Sequence, residues 1–295
     1  MKLSQLREFL AIVEHGSLRA AARRLAVLQP ALTRSIKNLE NELGVALFER
    51  DVSGMRLTTS GQAFHRRAST IVQEAQRARE EIDQIQGQAQ GNVSVALSIM
   101  PHVYMLPRAL PAFRQRYPNT RVQLIEALLP AVESRLRDGS IDFYIGAVTR
   151  DPPGAGLTTQ VLFENTRAVV ARKGHPLAQA RSLQALVDAR WATTWVDYDA
   201  AGDLADVFDQ HGLPPPTVTL QVRSTMSLLV GLAHSDLLAM VPTQWQCNEL
   251  TSHSIQVLPI AEVLPAPPIV LVRRPGLSLT PPAEHLCDLL LRYTP

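Results

Sequence analysis

Three helical patterns, each with its own start and stop signal, fill the first 44 residues, and the second and third are separated by only a brief turn. Leu3, Leu6, Phe9, Leu10, Ile12 and Val13 recur at helical spacing, and Gly16 follows where a helix ends on a left-handed residue. Ser17 is a natural cap for a short second helix through Ala20, Ala21, Ala22 and Leu25. Pro30 then opens a third helix carrying Leu32, Ile36, Leu39 and Leu43, closed by Gly44. Two helices joined so tightly make a helix-turn-helix. Two short strands, 46–50 and 55–57, around a turn at 51–54 read as a hairpin wing.

Charge separates this front end from the rest. Residues 1–67 hold eleven Lys and Arg against six Asp and Glu, a net of +5 within a chain whose total is +2, so the remainder stands at −3. A basic segment on a mildly acidic body points to a polyanion bound at the front end only. In a helix-turn-helix the second helix enters the major groove, which places Gln29, Pro30, Ala31, Thr33, Arg34 and Lys37 against base edges. Gln29 suits adenine, and Arg34 suits guanine or phosphate. Ser17 and Arg19, at the start of the second helix, and Arg50 and Arg56, flanking the wing, complete the DNA-contact set.

From Thr59 a long helix begins, and Thr59 with Gln62 has the form of a capping box. Ala68, Ile71, Ala75, Ala78, Ile82 and Ile85 follow a heptad seam, with charged residues on the other faces. Such a seam serves pairing with a second copy; an amphipathic helix lying on its own domain is the plainer alternative. The glycine-flanked stretch 87–91 marks a domain boundary.

Beyond it strand and helix alternate, with strands at 93–97, 122–124 and 141–147 and helices at 102–116 and 131–137, which implies a parallel sheet with right-handed crossovers. A second series from about 162 has strands at 167–171, 192–195, 218–222 and 237–241 and helices near 200–211 and 225–234. The strand 269–273 and the helix 283–293 return to the first sheet. The expected architecture is therefore α/β behind a helical winged domain. Its domains are 1–58, a linker helix 59–87, and a two-lobed body 88–295, with lobe one at 88–162 and 266–295 and lobe two at 163–265.

In open α/β lobes ligands sit at the carboxyl ends of strands, where helix N-termini present free N–H groups to anions. That rule nominates Ser98, Met100 and His102 after the first strand, Thr194 and Trp195 in the other lobe, and Ser224 and Thr225 at a helix start. A carboxylate or sulfonate suits such hydroxyls and amides; helix capping is the alternative role for Ser98, Thr194 and Thr225. Catalytic and cofactor motifs are missing: no Gly-x-Ser-x-Gly, no phosphate loop and no His-Glu-x-x-His. Eight histidines never fall at metal-ligand spacing, and Cys247 and Cys287 make neither a disulfide framework nor a zinc site. We expect neither enzyme chemistry nor a cofactor nor a metal. The opening residues carry Arg7, Glu8 and Glu14 where an export signal would be apolar, and no apolar run reaches membrane-spanning length, so a cytoplasmic chain is expected. A solute-binding protein would share the two-lobed body, but would have no use for a basic helix-turn-helix.

The string Phe9-Leu10-Ala11-Ile12-Val13-Glu14-His15-Gly16-Ser17-Leu18-Arg19-Ala20-Ala21-Ala22 is one of several that resemble LysR-type transcriptional regulators. The others are Leu25-Ala26, Gln29-Pro30-Ala31-Leu32-Thr33, Ile36, Leu39-Glu40, Leu43-Gly44, Leu47-Phe48-Glu49-Arg50, Leu57-Thr58 and Gly61. Further on, Leu136-Arg137-Asp138-Gly139-Ser140-Ile141-Asp142 and Lys173-Gly174-His175-Pro176-Leu177-Ala178 fit as well. Leu129-Pro130-Ala131-Val132 and Ala233-His234-Ser235-Asp236-Leu237-Leu238 are similar to regulators answering aromatic sulfonates. The resemblance implies a winged helix-turn-helix, a dimerising linker helix and a periplasmic-binding-protein-like effector domain, in homodimers or homotetramers acting with RNA polymerase on promoter DNA. It favours Ser98 and Thr194 as effector contacts, with Ala147, Val241 and Pro242 lining the cleft. One position departs from it. Leu28 stands where the family usually has a Ser that caps the third helix or touches phosphate, so a cap contributing about 1 kcal/mol is expected to be missing.

Overall fold

The computed structural model describes residues 1–51, 54–85, 91–148, 153–194, 199–247, 249–276 and 278–295, with only the backbone at Arg50, Asp51, Gly54, Glu81, Asp83, Gln84, Ile85, Cys247, Glu249 and Leu250. Two compact units emerge, one formed by Met1–Ala89 with the short stretch Arg137–Ser140, the other by the remainder.

The first unit is built from α1 (Leu3–His15), α2 (Leu18–Arg24), α3 (Gln29–Leu43), the hairpin β1 (Phe48–Asp51) and β2 (Gly54–Leu57), and α4 (Thr59–Ile85). Each boundary has a local cause. Gly16 and Gly44 end α1 and α3 at φ +68° and +70°, a region open to glycine without strain, and the Ser17 hydroxyl accepts the Ala20 N–H at 3.2 Å to cap α2. Ala26, in the turn between α2 and α3, also takes a positive φ of 54°, where an alanine is strained. Leu6, Phe9, Ile12, Leu32, Ile36, Leu39 and Leu47 share one core, in which the Phe9 ring lies 5.0 Å from Phe48 and 5.1 Å from Phe64. The cap of α4 differs from the expected box: the Thr58 hydroxyl, not that of Thr59, accepts a helix N–H, from Gly61 at 2.9 Å. Thr59 is already the first helical residue.

Three parallel strands of the second unit, β3 (Asn92–Leu97), β4 (Arg121–Glu126) and β5 (Phe143–Ala147), alternate with α5 (Ile99–Tyr104), α6 (Leu106–Arg116) and α7 (Leu129–Asp138). The long strand β6 (Thr158–Arg172) leads to a second parallel group, β7 (Arg190–Thr194), β8 (Thr217–Val222) and β9 (Leu237–Pro242), with α8 (Ala200–Gln210) and α9 (Thr225–Ala233). A short helix α10 (Glu249–Ser252), β10 (Ile255–Val257), β11 (Leu264–Arg273) and α11 (Pro281–Arg292) complete it. The strand order is β4-β3-β5-β11-β6-β9-β7-β8, with β10 also on β6.

Strands β6 and β11 cross between the two groups. β11 pairs with β5 through Ile269–Ala147, while β6 pairs with β9 through Arg167–Pro242. Two lobes result, one core around Val95, Phe113, Phe143 and Leu286, the other around Val169, Trp191, Phe208 and Leu238. Two expectations need correcting. The helix expected over 102–116 is broken into α5 and α6 because Pro107 has no N–H to continue the ladder and is tolerated instead in the first turn of α6, which starts at Leu106. The strand expected from 167 starts nine residues earlier, with the exposed, polar Thr158, Thr159 and Gln160 at its beginning.

Candidate nucleic-acid interface and effector cleft

Amphipathicity orients α3. Leu32, Ile36 and Leu39 are buried beneath it, which leaves Gln29, Pro30, Ala31, Thr33, Arg34 and Lys37 exposed on the opposite side. The Thr33 hydroxyl donates to the Gln29 carbonyl at 3.0 Å, so it is engaged within its own helix. Arg19 is exposed on α2, and Arg56 on β2 stands opposite Glu49; Ser17 is half-buried as the α2 cap. The Arg50 side chain lies outside the described residues. Glu40, on the last turns of α3, accepts the N–H groups of Leu47 and Phe48 at 2.8 and 3.2 Å, which ties the helix to the root of the hairpin. Sequence reasoning passed over this contact, which depends on a loop returning to the helix.

Leu28 is the cap residue of α3 and offers no side-chain acceptor. Two features soften that loss: Pro30 has no N–H to satisfy, and the Ala31 N–H bonds the Leu28 carbonyl at 3.0 Å. The Leu28 side chain is 77% exposed.

Along α4, Ile71 and Ile82 are 41% and 54% exposed, Ala78 is exposed and Ala75 half-exposed. The Ile85 side chain lies outside the described residues. Ala68 corrects the expected seam, because it is fully buried in the core with Phe9 and Ile12 and has no surface to offer a partner helix.

In the second unit a cavity of about 130 Å³ opens between the lobes. Ala147, Thr194, Val241 and Pro242 line it, with Ile99, Leu128, Leu204, Leu228 and Met240 supplying further apolar wall. A neighbouring recess is lined by Ser98, Glu126, Thr194, Arg223, Ser224 and Thr225. There the Thr225 hydroxyl hydrogen-bonds the Glu126 carboxylate across the mouth, and Ser224 caps α9 by accepting the Ser227 N–H. Two nominated residues lie elsewhere. Met100 is buried in the lobe-one core, since a step of about 100° along α5 turns it away from the cavity side that Ile99 faces. His102, a turn further along α5, lines neither recess. Trp195 lies outside the described residues.

Sequence reasoning missed the residues that organise this cleft. Tyr144 is buried, and its hydroxyl donates to the Ala147 carbonyl at 2.8 Å. The same oxygen also bonds the Ser98 hydroxyl and the Leu129 backbone, while the Ala147 N–H donates to Ser98 Oγ at 3.2 Å. A ring of hydrogen bonds thus joins Ser98, Tyr144 and Ala147, and burial pushes the phenol well above its ordinary pKa. Gly146 makes the ring possible, because a Cβ there would stand 2.3 Å from the Tyr144 hydroxyl and 2.6 Å from Ser98 Oγ. On the other wall Arg167 and Asp203 pair at 2.5 Å with side chains 12% and 23% exposed. Asn165 accepts from Gln244 at 3.2 Å. Thr193, buried and lining the cavity, has a hydroxyl with no hydrogen-bond partner among the described residues. A small strand-end hydroxyl beside Thr194 was the only signal available.

Cys287 is buried, with its thiol pushed up to about 12 by desolvation. Among the described residues no group of His, Cys, Asp and Glu could hold a metal, and no helix is long and apolar enough to cross a membrane.

A winged helix-turn-helix followed by a two-lobed α/β body is the build of a LysR-type regulator. Residues 3–62 match the bacterial regulatory helix-turn-helix proteins of the lysR family, and residues 86–295 match the LysR substrate binding domain. The chain belongs to the LysR family of transcriptional regulators, proteins with a DNA-binding helix-turn-helix and an effector-binding domain, and is not an enzyme. It is 28% identical to the SDS degradation transcriptional activation protein of a Pseudomonas sp., over 98% of this chain and 95% of that one. It is 30% identical to the regulator BenM of Acinetobacter baylyi, over 85% and 83%. The fold matches full-length CbnR complexed with its target DNA at a TM-score of 0.68 and 23% identity, covering all of both chains.

Proposed function

We propose that the exposed face of α3 lies in the major groove of promoter DNA, with Gln29, Pro30, Ala31, Thr33, Arg34 and Lys37 toward the bases and Arg19, Arg56 and Arg50 toward phosphate. Ile71, Ala75, Ala78, Ile82 and Ile85 of α4 pair two copies, so the operator is palindromic, with half-sites one helical turn or a multiple apart. Homodimers, or homotetramers, act with RNA polymerase. The CbnR structure with its target DNA supports this reading, as does the concentration of basic residues in the first unit.

The effector is a small anion, a carboxylate or sulfonate on an apolar body, held between the lobes. The observation that carries this is the buried Thr193 hydroxyl, without a partner among the described residues and beside Thr194 in an apolar cavity, since an unmet donor there is a loss that a ligand oxygen repairs. A ligand that favours one lobe arrangement shifts the population of that arrangement, and with it the disposition of the paired winged domains. Domain limits of 1–58, 59–87 and 88–295 go with this reading.

Two measurements test the proposal. Footprinting at about 150 mM salt should protect a palindromic stretch of promoter-sized DNA; no protection overturns the DNA reading. Benzoate or p-toluenesulfonate should raise the melting temperature of the wild type but not of Thr193→Val. No rise with either anion overturns the effector reading.

A further inference from the structure

At the tip of α3, where the recognition face begins, four apolar side chains, two on each side of Gln29, interrupt a basic surface. Val27 and Leu28 are 40% and 77% exposed, and Pro30 and Ala31 beyond Gln29 are exposed too. Leu28 stands out because its side chain neither caps the helix nor contributes to the first unit's core. Its backbone is nevertheless fixed, extended at φ −73° and ψ 136°, with its carbonyl accepting from Ala31 and Leu32. A leucine held in place and largely in water leaves apolar area unburied unless a partner covers it.

The charged surroundings indicate what that partner is. Arg19, Arg23, Arg24, Arg34 and Lys37 are all exposed on α2 and α3, a field that draws a polyanion rather than an apolar protein surface. In the major groove the one apolar group on a base edge is the C5-methyl of thymine. That methyl lies on the side of the groove nearest its own strand's phosphates, where a side chain at the cap of a recognition helix arrives.

We infer that Leu28 is a specificity-determining residue that packs on a thymine methyl, in the base pair next to the one read by Gln29. The inference rests on α3 being the groove helix. At a position where a hydroxyl would hold phosphate whatever the sequence, this chain instead exchanges a sequence-independent contact for a sequence-dependent one.

The test uses the full chain. Selection from a library of random duplexes at about 150 mM salt gives the preferred sequence, which is then remade with uracil in place of each thymine, removing only the methyl. The wild type should bind one such duplex about fourfold more weakly per half-site, as expected for one buried methyl. Leu28→Ala and Leu28→Ser should bind the two duplexes alike, while Gln29→Ala keeps the methyl preference and relaxes the choice of adenine. Wild-type indifference to every thymine-to-uracil exchange overturns the inference, and so does a full uracil penalty in Leu28→Ala. If Leu28 instead covers a second copy of the chain, Leu28→Ala changes sedimentation of the DNA-free protein and leaves the uracil penalty intact, which also overturns it. Failure to enrich any sequence defeats the groove reading itself, a separate outcome.

Discussion

On α3 the side chains of Gln29, Arg34 and Lys37 stand in solvent over an apolar underside, whereas on the lobe-one wall of the cleft Ser98, Tyr144 and the Ala147 backbone are already bonded to one another. One surface is held from below by packing and keeps its polar groups for a partner. The other uses its polar groups as framing, while on the facing lobe the Thr193 hydroxyl has no hydrogen-bond partner among the described residues. The two can therefore be broken in different ways. Changes on α3 should alter binding without altering stability, and changes in the ring should do the reverse first.

Gly146→Ala carries the largest expected effect. Its new Cβ would force Tyr144 and Ser98 apart in a packed interior, and overpacking of this kind destabilises by about 2–3 kcal/mol. Denaturant unfolding should show the loss in the second unit. Tyr144→Phe removes one hydroxyl from the ring and leaves the Ala147 carbonyl and the Leu129 N–H without that partner, a loss of about 1–2 kcal/mol. Hydrogen exchange should rise around residues 98, 129 and 147 and stay constant in α3. An unchanged unfolding midpoint for both variants would mean that the ring is not framing the cleft. The smallest effect runs the other way: Ala26→Gly relieves the positive φ in the turn before α3 and should stabilise the first unit by about 0.5–1 kcal/mol. Its midpoint should move up, with the second unit unaffected.

The same contrast explains what could be read from the chain before its structure. The α3 face was legible because its determinants are local: a proline start, a glycine stop, and apolar residues three and four apart. Ala68 shows where locality ends, since helical spacing places it on the seam but does not say that Phe9 and Ile12 cover it. The α4 cap was misplaced by one residue because Thr58 and Thr59 are chemically alike, and only the approach of the Thr58 hydroxyl to Gly61 tells them apart. The first half of β6 escaped notice because Thr158, Thr159 and Gln160 lack apolar alternation; their strand identity comes from pairing with β11. The Ser98, Leu129, Tyr144 and Ala147 ring joins residues far apart in sequence, and no pattern of spacing encodes such a contact. Met100 and His102 were nominated by position after a strand, but helical rotation turns Met100 into the lobe-one core, and His102 lines neither recess.

The central claim is that α3 presents its outer face to a DNA groove, and Arg34→Ala tests it most directly. Affinity for the footprinted duplex should fall by about tenfold or more, as for loss of one base or phosphate contact. The salt dependence should become shallower, with the melting temperature unchanged because the side chain is exposed. Undiminished affinity in a folded Arg34→Ala protein would contradict the claim.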